Sequence, residues 1–93
     1  MDTYQSMTQS VLNYLAENQY SSTLINANVR CFEKLRAYLT KKGISYSPEV
    51  ALEWYTTANN LAPSDMDLGR IALVRLQDIA ETGSIRSEPM SLS

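Results

Sequence analysis

Gly43 and the Ser47-Pro48-Glu49 segment constrain this chain more than anything else in it, because they act on the backbone before any tertiary contact forms. Glycine enters the left-handed conformation that terminates a helix without steric cost, so a helix is expected to stop at Lys42. Ile44 then stands where it can fold back on Leu39, in the apolar contact that accompanies such stops. Ser47 carries the hydroxyl of an N-cap, and Pro48 takes the first helical position, where a missing N–H costs nothing. Glu49 falls near the positive end of the new helix dipole, and Tyr46 is placed to staple onto Ala51. Two helices joined by a short turn are thus specified locally.

With only three glycines and three prolines in 93 residues, each is read as marking a helix end, and four helices result. The first is expected from about Thr3 to Glu17, with Tyr4, Met7, Val11, Tyr14 and Leu15 as one apolar stripe. The second opens at Ser21 or Ser22 and runs to Lys42. The third follows its Ser47 cap, and its inward stripe is Val50, Ala51, Trp54, Tyr55, Ala58 and Leu61. The fourth follows Ala62-Pro63 with Ser64 as its expected N-cap and Asp65 and Asp67 in its first turn. It ends at Gly83 and turns Leu68, Ile71, Ala72, Leu76 and Ile79 inward. Ser84 to Ser93 shows no sustained period and reads as a linker or frayed end leading into a longer parent protein.

A chain of this length makes one domain and buries roughly 60–65% of the surface its unfolded form exposes. Hydrophobic residues make up 44% and charged residues 19%, a balance that folds rather than one that stays disordered. No apolar run approaches the roughly 20 residues that span a bilayer, and the start, Met1-Asp2-Thr3, lacks the basic and apolar stretches of a signal peptide. A soluble, cytoplasmic chain is expected. The one cysteine, Cys31, can form no internal disulfide, in keeping with a reducing compartment.

Histidine is absent, which removes the commonest general base and the commonest metal ligand together. Cys31 shares an arc with Leu24, Leu35 and Tyr38, the position of a buried small hydrophobe rather than a nucleophile. Asp65-Met66-Asp67-Leu68-Gly69 opens like a calcium loop, but Leu76 stands where the bidentate Glu should be, and helix capping accounts for both aspartates. Neither a metal nor any other cofactor is expected. The six tyrosines and Trp54 sit mostly on apolar stripes, where core packing is the better account.

Charge is unevenly distributed. Ten acidic against eight basic residues give a net charge of −2, so binding to nucleic acid would need local segregation. Arg30, Lys34, Arg36, Lys41 and Lys42 all lie on the second helix, where Glu33 is the one acid. At roughly 100° per residue, Thr23, Ala27, Arg30, Lys34 and Lys41 fall on one arc, opposite Leu24, Ile25, Phe32, Leu35 and Leu39. Such a stripe can sit against phosphates, with the Ser22 and Thr23 hydroxyls as further donors. On charge alone an ordinary solvated helix face is the commoner source of such a pattern.

Tyr20-Ser21-Ser22-Thr23 opening a long helix, then Phe32, Leu35, Tyr38, Leu39 and Lys42-Gly43-Ile44, resembles the signature helix of the core-binding domain of phage-type tyrosine recombinases. Tyr46 through Trp54 resembles the helix that follows it there. Arg70 through Leu76, ending in Glu81-Thr82-Gly83-Ser84-Ile85, looks like the closing helix. The resemblance covers roughly Tyr4 to Arg86, and it departs from the family at Ala27 and Asn28, where an aromatic is usual.

The resemblance implies an all-α, four-helix, SAM-like orthogonal bundle over residues 1–86, with 87–93 as a flexible linker or tail. It implies a non-catalytic module that clamps double-stranded DNA during integration, while a separate C-terminal catalytic domain of the parent chain cuts. The DNA face it implies is Ser22, Thr23, Arg30, Lys34 and Lys41 on the second helix, with Arg70 and Arg75 on the fourth. The module itself would be monomeric, without a membrane contact. Two other readings stand beside it: a helical protein–protein adaptor, which suits the acidic balance, and a helix-turn-helix regulator, which the long second helix suits less well.

Overall fold

Four helices, α1 (Thr3–Glu17), α2 (Ser22–Lys42), α3 (Pro48–Thr57) and α4 (Pro63–Thr82), build an all-α bundle in the computed structural model, which describes residues 3–59, 61–83 and 85. No strand is present among the described residues. The expected tail lies outside them, apart from Ile85, which is half-buried and packs on the core.

The ends of α2 and α3 follow the local chemistry. Ser21 caps α2, its Oγ accepting the Leu24 N–H at 3.2 Å. At the other end Gly43 has φ 69°, its N–H reaches the Thr40 carbonyl, and the Ile44 N–H reaches the Leu39 carbonyl at 3.1 Å. This is the bonding of a left-handed helix stop. The Ile44 side chain nevertheless stays 43% exposed. Ser47 caps α3 by accepting the Val50 N–H at 3.1 Å, with Pro48 in the first turn.

α1 ends in the same way without a glycine. Gln19 takes φ 62°, while its N–H bonds the Ala16 carbonyl and that of Tyr20 bonds the Leu15 carbonyl. A side chain in that conformation costs about 1–2 kcal/mol, which the packed helices on either side sustain.

α2 and α4 form the centre of the bundle. α2 touches α1, α3 and α4; α1 also packs on α4, and α3 rests on α2 and α4. Val11, Leu15, Cys31, Phe32, Leu35, Leu39, Ala51, Trp54, Leu61, Ala72 and Leu76 form one buried cluster. The α1 stripe faces inward as its spacing requires, and Tyr4 adds a tie by donating from Oη to the Phe32 carbonyl at 2.7 Å.

Several expectations from spacing give way to packing. α3 stops at Thr57 rather than running to Leu61; Asn59 instead accepts the Leu61 N–H at 2.8 Å and holds that leucine in the core from the connecting turn. Ser64 does not cap α4, since Ala62 holds that position with no side-chain bond. Gly69 marks no helix end: a Cβ there would lie 2.9 Å from Leu61 Cδ1, so its missing side chain leaves room for that leucine, and 3.5 Å from Cys31 Sγ, an ordinary contact distance. The inward line of α4 is accordingly Asp65, Gly69, Ala72 and Leu76, joined by Arg75 and Asp78, while Ile71 points out at 39% exposure. On α2, Ala27 is 1% exposed and lies under the bundle, so the arc from Thr23 to Lys41 is not a continuous solvent face.

Candidate nucleic-acid interface

The burial of Ala27 divides the cations and hydroxyls of α2 by environment. Ser22 and Thr23 are exposed on its first turn. Lys41 lies near its end, and at 1.5 Å per residue the two places are separated by roughly 28 Å. One phosphate cannot meet both.

Arg30 is committed elsewhere. Its guanidinium grips the Asp65 carboxylate with two parallel bonds, Nε to Oδ2 and Nη2 to Oδ1, both 2.9 Å. The Asp65 side chain is only 10% exposed and that of Arg30 49%. A forked pair of this kind joins the middle of α2 to the first turn of α4. Hydrogen bonding from Arg30 holds the Asp65 carboxyl below its ordinary range against the opposing effect of burial, and the charges of Arg30 and Lys34 add to this. Asp65 raises the Arg30 pKa in turn, mainly through the same hydrogen bonds. Asp65, read from sequence as a cap, is therefore a charge partner, and Arg30 presents a neutralised pair rather than a free cation.

Arg75 does not belong to a DNA face. It is 6% exposed, and its guanidinium carbon stands 5.2 Å from the centre of the Tyr20 ring, a stacked cation–π geometry. Its position beside Leu76 on the inward side of α4 is the physical reason. Arg70 is exposed, but it lines a groove between α3 and α4 and is not gathered with the lysines of α2.

What does converge is a lysine-edged groove of about 820 Å³ between the second half of α2 and the end of α3. Lys34, Lys41 and Lys42 line it from α2 together with Tyr38, and Glu53, Trp54, Thr56 and Thr57 line it from α3. Lys42 Nζ lies 5.7 Å over the Tyr38 ring, which restrains its ammonium at the groove edge. Three cations thus face one carboxylate across the groove. Lys41 and Lys42 also complement the negative end of the α2 dipole, so helix stability and anion attraction are served by the same charges. Sequence spacing alone left Lys42 out, because it falls about 80° from Lys34 around α2. Its neighbour Tyr38, four residues earlier, was the available signal.

No other arrangement of chemistry competes. The Cys31 thiol is fully buried and desolvation pushes its pKa up to about 12, with the Asp65 charge adding to the rise, so it is a protonated packing group at neutral pH. Among the described residues no cluster of His, Cys, Asp or Glu could hold a metal ion, and no helix is long and apolar enough to cross a membrane. Comparison with known proteins adds no relative: no family model, no curated protein and no solved structure matches this chain.

Proposed function

We propose that this chain is a helical DNA-binding module, working in the cytoplasm as an accessory domain of a longer protein of the tyrosine-recombinase kind. The observation that carries the reading is the grouping of Lys34, Lys41 and Lys42 along one groove wall of an otherwise acidic chain. Ammonium groups so placed bind a phosphate backbone by displacing its condensed counterions, without reading base sequence. The family resemblance supplies the context: a SAM-like clamp on one face of the recombination site, with cleavage left to a catalytic domain elsewhere in the parent chain. Arg30 contributes by fixing α4 against α2 through Asp65, and Ser22 and Thr23 stand as donors at the far end of the helix.

The test is a fluorescence-anisotropy titration of labelled duplex DNA at two salt concentrations. Affinity near the non-specific range of about 10⁻⁴–10⁻⁶ M is expected, with a salt slope of about −3 for three neutralised phosphates. Lys34→Ala, Lys41→Ala and Lys42→Ala should each weaken binding to every duplex alike and remove roughly one unit of slope. Parent-like binding by the triple variant at low salt would eliminate this groove as the DNA face.

A further inference from the structure

α3 and α4 run antiparallel and leave a second groove on the side of α3 away from the lysines. At one end Tyr55, late in α3, donates from Oη to the Met66 carbonyl early in α4 at 3.0 Å. At the other, Tyr46 just before α3 lies within the influence of both Glu49 and Glu81, the latter in the last turn of α4. The groove has a volume of about 530 Å³, with Ala51 and Leu73 in its lining and Leu52 and Val74 on its rims. Leu52 is 62% exposed, Val74 40%, and Ile71, one turn from Val74, 39%. Of the four large apolar side chains exposed among the described residues, two, Leu52 and Val74, line this groove, and Ile71 stands beside it on the outer side of α4.

The charges around this patch are polarised along it. Glu49 and Gln77 stand toward one end, with Glu81 one turn beyond accepting the Gln77 amide at 3.1 Å. Arg70 and Thr56 stand toward the other. Neither Glu49 nor Arg70 has an ion-pair partner among the described residues.

We propose that this face is the interface of a twofold homodimer, the α3–α4 groove of one copy packing on the same groove of a second. A twofold interface must be self-complementary, with each patch meeting its own image reversed. Reversal brings Arg70 of each copy to the Glu49 end of the other, giving two identical ion pairs that flank a shared cluster of Leu52 and Val74. A negative end, an apolar middle and a positive end along one axis satisfy that requirement directly. The interface is small, so association is weak, with Kd on the order of 10⁻⁴ M. This departs from the monomer expected of the sequence, which turned Ile71 inward and left no such patch in view.

Sedimentation velocity of the purified 93-residue chain, from about 5 µM to about 1 mM, tests it. The sedimentation coefficient should rise with concentration toward that of a dimer. Leu52→Glu should remain monomeric with the parent's helical circular dichroism and melting curve, because that side chain leaves the fold untouched. Glu49→Arg and Arg70→Glu should each weaken dimerisation about tenfold, and the double variant should return to within about threefold of the parent, since reversing both charges restores both pairs. A parent chain still monomeric at the highest concentration would overturn the proposal. So would a double variant no better than either single one, or a groove that takes up an amphipathic peptide while the chain itself stays monomeric. The lysine groove is not altered in any of these variants, so their outcome is independent of DNA binding.

Discussion

The two flanks of α3 are built on the same ten-residue helix and carry opposite chemistry. Toward α2, Glu53 and Thr57 face Lys34, Lys41 and Lys42 across a charged groove; toward α4, Leu52 faces Val74 and Leu73 across an apolar one. Trp54, 1% exposed between them, belongs to the core beneath both. A short helix shows this division because its inward stripe is narrow: Ala51 and Trp54 are its only fully buried residues. The positions on either side of them are free to take whatever the neighbouring helix presents. The difference shows that burial pattern and surface chemistry are set by different neighbours, even when they share one turn of helix.

The largest break in that comparison is Trp54→Ala. It removes the anchor common to both grooves and should destabilise the domain by about 3–5 kcal/mol. Chemical denaturation would read the loss, and both DNA affinity and self-association should fall with it. A midpoint equal to the parent's would mean that the two flanks are held by something other than the core beneath them.

Next in size is the response to pH, where the flanks should part in opposite directions. Tyr46 lies under the apolar flank with a buried Oη that has no hydrogen-bond partner among the described residues. Desolvation, helped by Glu81 and Glu49, pushes its pKa up to about 12. A phenol whose pKa is raised by folding stabilises the fold fully below its unfolded value near 10, and that contribution disappears as pH rises through about 12. Cys31, also raised to about 12, adds to the same alkaline loss. Asp65, beside the cationic flank, behaves the other way. Its depressed pKa stabilises above the unfolded value near 3.9, and the effect is lost as pH falls through the folded one. Melting temperatures should therefore show an alkaline limb that Tyr46→Phe diminishes and an acid limb that Asp65→Asn flattens. An unchanged alkaline limb in Tyr46→Phe would remove Tyr46 from this account.

The smallest effect sharpens the comparison from the outside. Leu52→Ser changes a side chain that is mostly in water, so stability should stay within about 0.5 kcal/mol of the parent by denaturant titration. A larger loss would show Leu52 to be part of the fold rather than of a surface.

The helix boundaries at Gly43 and Ser47-Pro48 were legible because a left-handed stop and a serine cap depend on residues within one turn. The inner line of α1 was legible because one broad face of that helix is buried against α2 and α4 together. Part of the candidate site was legible too: Lys34 and Lys41, seven residues apart, fall on one side of α2 by helical geometry alone. Arg30 was read as a surface cation because nothing within α2 reveals a carboxylate 35 positions away, and Arg75 was carried onto the DNA face by the resemblance, since nothing within α4 reveals a tyrosine ring from another segment.

By itself, the sequence determined four helices, most of their ends, an all-α fold and the concentration of cations on α2, since each depends on local backbone chemistry or on a period of 3.6 residues. Only the tertiary structure decided how those cations are grouped. The Arg30–Asp65 pair and the seating of Leu61 against Gly69 hold α4 in a rotation that buries Arg75, turns Ile71 outward and sets Arg70 on a groove apart from the lysines. A helix can turn about its axis without altering its internal hydrogen bonds, so its orientation is settled only by the neighbours against which it packs.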